Sequence, residues 1–327
     1  MRRLKRISIA MATYNGAEYI EEQLQSFLDQ TMQPDELIIT DDCSTDQTEF
    51  IVSDFAKKAP FSVEFHRNKK NLGYCGNFNA ALAKTTGDLV FLSDQDDVWF
   101  PNKIAYIFEI AKRNPHALAL MNDAKLTDGK LNEVGLTKIG QIRSAGFSMN
   151  RFVMGSCCAV RRDLLELCMP IPSGFKGHDN WLIQFADGLN AKVIDTTPLQ
   201  YYRRHETNES QFIANRTTKV TRNQVRIETW KRLFRQDTIV ARSQQLEQLE
   251  IFIAGLSRAI ELAPDEHKTS LTKLKSNYSN NVKVSAARLA IAKKSFFARL
   301  VAIIKLLVDG GYKNANGIKS ACRDIVG

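Results

Sequence analysis

Asp88-Leu89-Val90-Phe91-Leu92-Ser93-Asp94-Gln95-Asp96-Asp97-Val98-Trp99 is the stretch on which the reading of this chain turns. Its apolar run, Leu89 to Leu92, reads as a buried strand, and the strand ends in acids. Residues i and i+2 of an extended chain project to the same side, so Asp94 and Asp96 face one ligand together. Two carboxylates at a strand end do not stay charged and close without a cation. They suit Mg2+ or Mn2+ held by oxygen ligands and substrate phosphates. The competing reading is a solvated acidic turn that caps the next helix, which Pro101 opens at a position where proline is tolerated.

The pattern repeats on both sides of this stretch. Ile7 to Ala12 reads as a strand that ends in Thr13-Tyr14-Asn15, and Glu36 to Thr40 as one that ends in Asp41-Asp42. Ser62 to His66 and Ala117 to Met121 complete five strands. Between them Ala17 to Gln30, the segment capped by Ser44-Thr45-Asp46, and Gly76 to Lys84 have helical spacing. Strands alternating with helices predict an α/β fold with a mainly parallel sheet. Ligands of such sheets sit beyond the carboxyl ends of the strands. Three polar clusters at three such ends point to one site.

The chain has 327 residues, 44% hydrophobic and 25% charged, which excludes wholesale disorder, collagen-like repeats and a disulfide scaffold. No run of eighteen uncharged apolar residues predicts a membrane span. The basic start, Met1 to Arg6, leads straight into a strand rather than a cleavable signal. Six cysteines at 43, 75, 157, 158, 168 and 322 form no CxxC pair and read as reduced thiols in a cytosolic protein. The net charge of +9 is uneven: residues 211–327 hold 21 Lys and Arg against 9 Asp and Glu, whereas residues 1–210 hold 24 against 27. We therefore expect two parts, 1–210 and a basic helical 211–327, joined by a linker at 211–220. Helices are expected over 219–262, broken at least once, and over 281–308. The basic part suits an anionic surface.

Together, Ala12-Thr13-Tyr14-Asn15, Asp41-Asp42-Cys43-Ser44-Thr45-Asp46, Asn71-Leu72-Gly73, Gly87-Asp88 and Leu92 to Trp99 resemble the inverting glycosyltransferases of family 2, which have the GT-A fold. The likeness covers about residues 5–210. The family usually has Pro where Ala12 stands and often Gly where Cys43 stands. The resemblance implies that Thr13, Tyr14, Asn15, Asp41 and Asp42 hold the nucleotide base and ribose, with Asn71 and Gly73 in a loop near the nucleotide. It implies that Asp94 reaches the ribose or the metal. Asp96 would ligate the Mg2+ or Mn2+ that bridges the donor diphosphate and offsets its developing charge.

Gly177-His178-Asp179-Asn180-Trp181 precedes a helical run, and Asp179 reads either as part of a helix cap or as a general base. Inversion needs a base on the face opposite the leaving group. The resemblance gives that role to Asp179, with His178 beside it. Tyr201 to Asn208 resembles the Tyr-Arg-x-His-x-x-Asn segment of bacterial rhamnosyl- and related transferases. That likeness makes His205 a metal or phosphate ligand and lets Arg203 or Arg204 meet phosphate through a two-pronged contact. Gly155 and Ser156, Trp99 and Trp181 fall to the acceptor side, Trp99 as a sugar-stacking ring, with core packing as the competing reading for Trp99 and for the Gly155–Val160 stretch.

Ser295 to Val308 is strongly apolar, with Lys293, Lys294, Arg299 and Lys305 in or beside it. It is too short to span a bilayer and reads either as an interfacial membrane contact through 293–308 or as a helix packed on the chain's own core or in a homodimer. The resulting expectation is an inverting, metal-dependent transferase at the inner face of the cell membrane. It would move rhamnose from dTDP-rhamnose onto a lipid-linked or growing cell-surface polysaccharide. UDP-hexose or UDP-N-acetylhexosamine donors are the alternative. A polyanion- or nucleic-acid-binding protein is the reading from another class, disfavoured by the net acidic front part and the lack of a stacking-aromatic motif. A nucleotidyltransferase would need a glycine-rich nucleotide loop that the sequence lacks.

Overall fold

Strand β1 (Ile7–Thr13) has Ile9, Ala10 and Met11 with no exposed surface, and β2 (Glu36–Asp41) is buried at every position. Strands covered on both faces lose the in–out alternation and become continuous apolar runs, which is why they stood out in the sequence. In the computed structural model, which describes residues 3–206, 208, 210, 212–235, 238–313 and 317–326, the chain divides into two compact units, 1–225 and 226–327. In the first unit α1 (Ile20–Leu28), α2 (Thr48–Ala56) and α3 (Gly73–Lys84) connect β1, β2, β3 (Ser62–Arg67) and β4 (Leu89–Ser93). After β5 (Val98–Trp99) and α4 (Lys103–Arg113) come β6 (Ala119–Thr127), β7 (Glu133–Thr137) and α5 (Lys138–Ser144). Strand β8 (Cys158–Arg161), α6 (Arg162–Cys168), α7 (His178–Gly188) and β9 (Lys192–Arg203) follow.

The sheet runs β3-β2-β1-β4-β8-β6-β9-β5, with β7 on β6. The first four strands are parallel, as the crossovers require. Strand β8 reverses direction against β4 and β6, and β9 runs parallel to β6. The short β5 pairs antiparallel with β9, Val98 opposite Tyr201 and Trp99 opposite Gln200. One core of Ile9, Met11, Phe27, Leu37, Ile39, Phe91, Trp99 and Ile104 fixes the strand ends relative to α1 and α4. Each fully buried side chain of this size contributes about 1.5–3 kcal/mol.

The boundary expected at 210/211 lies at 225/226. Ile213 and Val220 are buried against Ala145, so the expected linker belongs to the first unit; its residue 211 lies outside the described residues. The second unit contains most of α8 (Arg222–Arg235), then α9 (Thr238–Leu262), α10 (Asp265–Ala292), α11 (Phe296–Val308) and α12 (Ile318–Val326). The expected break in 219–262 coincides with residues 236 and 237, which lie outside the described residues, as do 207 and 314–316. Pro264 caps α10, which starts well before the expected 281, and Lys293 to Ser295 separate it from α11. Asp324 is buried in this unit and accepts from both Arg288 and Arg242, and from Tyr312 Oη at 2.7 Å. That cluster ties α12 to α9 and α10.

Glu36 opens β2 from a buried position and accepts from Ser8 Oγ (2.6 Å), Arg6 Nη2 (2.8 Å), the Thr86 N–H (2.5 Å) and Thr86 Oγ1 (2.8 Å). Burial opposes its charge, but these hydrogen bonds more than offset that and hold the pKa at about 2, against an ordinary 4.5. A depressed folded pKa gives stability that is complete above the unfolded value and lost as pH falls through the folded one. The contribution, on the order of 3 kcal/mol, therefore fades on acidification from the unfolded toward the folded pKa. Urea melts of Glu36→Gln should show a large deficit at neutral pH that narrows toward about pH 3. A deficit independent of pH would sink this account.

Candidate active site

The carboxyl ends of β1, β2 and β4 lie side by side, with Thr13 in register with Asp41 and Met11 with Ser93. Buried Asp41 accepts from Thr13 Oγ1 (3.0 Å), from the Ser44 N–H (2.8 Å) and from Ser44 Oγ. Asp42 Oδ1 accepts from the Leu72 N–H (2.7 Å) and Asn68 Nδ2 (3.0 Å), which fastens the Asn71–Gly73 loop to β2. Asn71 Nδ2 adds a bond to the Asp42 carbonyl at 3.3 Å. Asn15, at φ 46°, accepts from the Thr45 N–H, and its own N–H donates to Ser44 Oγ. Cys43 has φ 68°, a left-handed conformation that glycine adopts freely, which is the physical reason for glycine at this place in the family. Its thiol donates to the Asn68 carbonyl. Tyr14, Leu72 and Tyr74 stand exposed around this end of the sheet.

Gln95 joins the β1 end to the acidic loop. Its Oε1 accepts from the Tyr14 N–H (2.9 Å) and its Nε2 donates to the Tyr14 carbonyl (3.0 Å). A Cβ on Gly16 would lie 2.4 Å from Gln95 Oε1, so glycine is what admits the amide. Behind the loop sits a buried polar group. Asp97 accepts from Gln200 Nε2 (2.7 Å) and the Arg203 N–H (3.3 Å). Lys103 Nζ donates to the Ser156 carbonyl (2.8 Å) and to Gln200 Oε1, and lies 4.0 Å from the Trp99 ring centre. Burial lowers the Lys103 pKa to about 8. Burial, then Asp96 and Asp94, push Asp97 well above the usual carboxylate range. Asp94 rises to about 7 from burial, then from repulsion by Asp96 and Asp179.

Asp179 belongs to the first turn of α7. Gly177 at φ 94° starts that helix, and Asp179 Oδ1 accepts from the Asn180 N–H at 2.8 Å. A Cβ on Gly155 would lie 3.6 Å from Asp179 Cβ, which sets this residue beside the Gly155–Ser156 turn, and its charge is one of those that raise the Asp94 pKa. His178 is buried and stacks on Phe78, ring centres 3.8 Å apart. Burial lowers its pKa, and neither ring nitrogen has a partner among the described residues. A Cβ on Gly155 would lie 2.7 Å from His178 Nε2, which explains the small residue there. Ser156 is buried, with Oγ accepting from Gln200 Nε2 at 3.2 Å.

Asp96 Oδ2 lies 2.8 Å from His205 Nε2 and accepts from Asn208 Nδ2 at 2.8 Å. Asp96 and His205 are thus in contact, on the loop that Asp94 opens. Among the described residues no group of three or more His, Cys, Asp or Glu is already arranged around a metal position. By donor chemistry alone two carboxylates and an imidazole suit Mg2+ or Mn2+, but here Asp96 Oδ2 is paired with His205 and Asn208.

Several expected contacts are corrected by burial and pairing. Trp99 is 2% exposed and packs on Phe27 and Phe91, so it stacks on core rings and not on a sugar. Trp181 is likewise buried, packs on Phe175, and donates its indole N–H to the Cys168 carbonyl. The Arg203 guanidinium is occupied by Glu22, the Asp96 carbonyl and the Gly129 carbonyl, and lies over the Tyr19 ring. Arg204 donates to Tyr202 Oη and the Ser210 carbonyl. Neither arginine is offered to a phosphate in this arrangement. Thr13 and Asp41 bond to each other and Asn15 to Ser44 and Thr45, so these three build the loops; Asp42 is buried too, with Oδ1 bonded to Leu72 and Asn68, whereas Tyr14 is exposed.

Gln95, Asp97, Lys103 and Gln200 were not singled out in the sequence. The first two stood inside the decisive stretch; nothing local marked the others. The same holds for Lys138, buried at the start of α5 over the rings of Phe212 and Tyr202, where burial lowers its pKa to about 7. A cavity of about 400 Å3 lined by Arg3, Leu4, Phe108 and Arg161 lies at the opposite, amino ends of the strands, away from the acids.

The model of Glycosyl transferase family 2 matches residues 8–167. An uncharacterized glycosyltransferase of Nostoc sp. is 30% identical over 231 residues, 65% of this chain and 69% of that protein. The dTDP-rhamnosyl transferase RfbG of Shigella flexneri is 27% identical over 222 residues, 61% of this chain and 73% of that protein. The solved structure of Staphylococcus aureus TarS 1–349 in complex with UDP-GlcNAc superposes with a TM-score of 0.53 at 18% identity, over 86% of this chain and 90% of that one, and speaks for the fold. With its parallel nucleotide-side sheet, the acids at the strand ends and a relative matched over most of its length, the chain is a glycosyltransferase and belongs to family 2.

Proposed function

We propose that this transferase moves rhamnose from dTDP-rhamnose, with inversion, onto a lipid-linked or growing cell-surface polysaccharide. The observation that supports the inverting reading is the placing of Asp179, in the first turn of α7, beside the Gly155–Ser156 turn, with its charge felt by Asp94 on the acidic loop after β4. The likeness to RfbG supports the rhamnosyl donor.

Asp179 removes the proton from the acceptor hydroxyl as its oxygen bonds to the anomeric carbon. The bond from that carbon to the diphosphate breaks on the opposite face. Tyr14 offers an exposed ring to the base, and Asp42 offers its carboxylate to the base or ribose. Asp42, through Leu72 and Asn71, also holds the nearby loop in place. The Gln95 amide keeps the β1 end and the acidic loop at a fixed separation. Asp94, Asp96 and His205 would hold Mg2+ or Mn2+, which when bound supplies positive charge against the leaving diphosphate. Arg203 supports this loop from behind through the Asp96 carbonyl.

Binding and hydrolysis of dTDP-rhamnose and the common UDP-sugars, with Mg2+, Mn2+ or chelator, test this reading. A metal-dependent signal for dTDP-rhamnose alone is the expected result. Preference for a UDP-hexose or UDP-N-acetylhexosamine would keep the mechanism and remove the rhamnosyl donor. Equal signals with and without chelator would remove the metal.

A further inference from the structure

Helix α11 is apolar on two sides, and only one of them is covered. Ile303, with Ala302 and Leu306, packs on Ile291, Tyr312 and Ala321 within the second unit. The other side carries Phe297, Val301, Ile304 and Val308, spaced i, i+4, i+7 and i+11, and these are 81%, 69%, 61% and 82% exposed. Such spacing sets the four on one stripe of the helix. Phe296 is also exposed, and on α12 so are Ile318 and Ile325. A soluble surface rarely leaves a continuous apolar stripe of this kind bare.

The stripe is bordered by charge of one sign. Residues 293–323 hold seven Lys or Arg and one acid, Asp309. Lys293, Lys294, Lys305, Lys313 and Lys319 are exposed. Arg299 is turned inward, donating to the Ala292 and Lys294 carbonyls at the end of α10. The Asp324 cluster, with Arg242, Arg288 and Tyr312, holds α12 in place, and α12 packs on α11 through Ala321. The helix is thus presented by an anchored scaffold.

We infer that α11 lies flat in the surface of an anionic lipid bilayer, with the Phe297–Val308 stripe among the acyl chains and the lysines at the headgroups. Its thirteen residues rise only about 20 Å, against about 30 Å of hydrocarbon, so the helix lies along the surface rather than across it. Among the described residues no helix is long and apolar enough to cross a membrane. Aromatic residues at one end and lysines along the edge match an interfacial helix. A second copy of the chain fits less well. A twofold contact through this stripe would set the same lysines against their own copies, whereas anionic headgroups complement them.

The test uses the full chain and vesicles, with no sugar transfer involved, so it stands or falls apart from the donor and the catalytic base. We expect sedimentation with phosphatidylcholine–phosphatidylglycerol vesicles, little with phosphatidylcholine alone, and release by salt. The double substitution Val301→Ser with Ile304→Ser should lower the partition at least about tenfold. Lys293→Glu with Lys294→Glu should lower it by a similar factor on anionic vesicles only. All four sites are exposed, and unchanged thermal melts would show that the variants fold. Failure of the wild-type chain to bind anionic vesicles overturns the inference. So does equal binding by the serine variant, or a solution dimer that the serine variant converts to monomer while vesicle binding is absent.

Discussion

Asp179→Asn should bind the donor as well as the parent protein does and transfer sugar about 10²–10⁴ times more slowly. On the proposed mechanism the change removes the proton acceptor and little else. Asn keeps the shape of the side chain and an oxygen that can accept the Asn180 N–H, so the start of α7 stays in place. It also removes one of the charges that push Asp94 upward, which cannot weaken the acidic loop electrostatically. The loss should therefore appear in kcat, with donor affinity unchanged. Turnover within tenfold of the parent would assign the base elsewhere, and a loss confined to KM would make Asp179 a binding group.

Asp96→Asn should lower transfer by about 10²–10³-fold and remove the response to Mg2+ or Mn2+. The difficulty is that Asp96 also ties down His205 and Asn208. Asn208→Ala separates the two roles, because it cuts the Asn208 bonds to Asp96 and to His205 and leaves the Asp96 carboxylate and its contact with His205. That variant should stay within tenfold of the parent and keep its metal response. If both variants fell equally, the role of Asp96 would be to order the 205–208 segment. If Asp96→Asn retained metal-stimulated transfer, the ion would have to be held by other residues.

The nucleotide side was legible because its physics is local. Buried parallel strands are continuous apolar runs, and their polar ends follow immediately, so Thr13, Asp42, Asp94 and Asp96 could be placed from neighbours a few residues away. The residues that were missed or misread take their meaning from distant partners. Gln200 and Arg203 lie on a strand whose sequence, with Pro198 and several polar residues, does not announce a strand, yet they contact Asp97 and Asp96 across more than a hundred positions. Lys103 reads as a surface lysine at a helix start, because a lone Lys is rarely buried. Only the fold supplies the Gln200 oxygen and Ser156 carbonyl that make its burial tolerable. Trp99 followed acids and invited a sugar, whereas the pairing of β5 with β9 turns it into the core.

The Gln95 amide clamp has a consequence for how this protein can change over generations. Gly16 and Gln95 occupy the same few ångströms, and Gln95 is held there by both polar atoms of the Tyr14 backbone. A side chain at 16 would evict the amide and free the acidic loop from the β1 end. A shorter residue at 95 would remove the reason for glycine at 16. In an alignment of close relatives these two positions should vary as a linked pair, while exposed Tyr14, Leu72 and Tyr74 vary independently of them. Independent variation at 16 and 95 would mean that the clamp is dispensable.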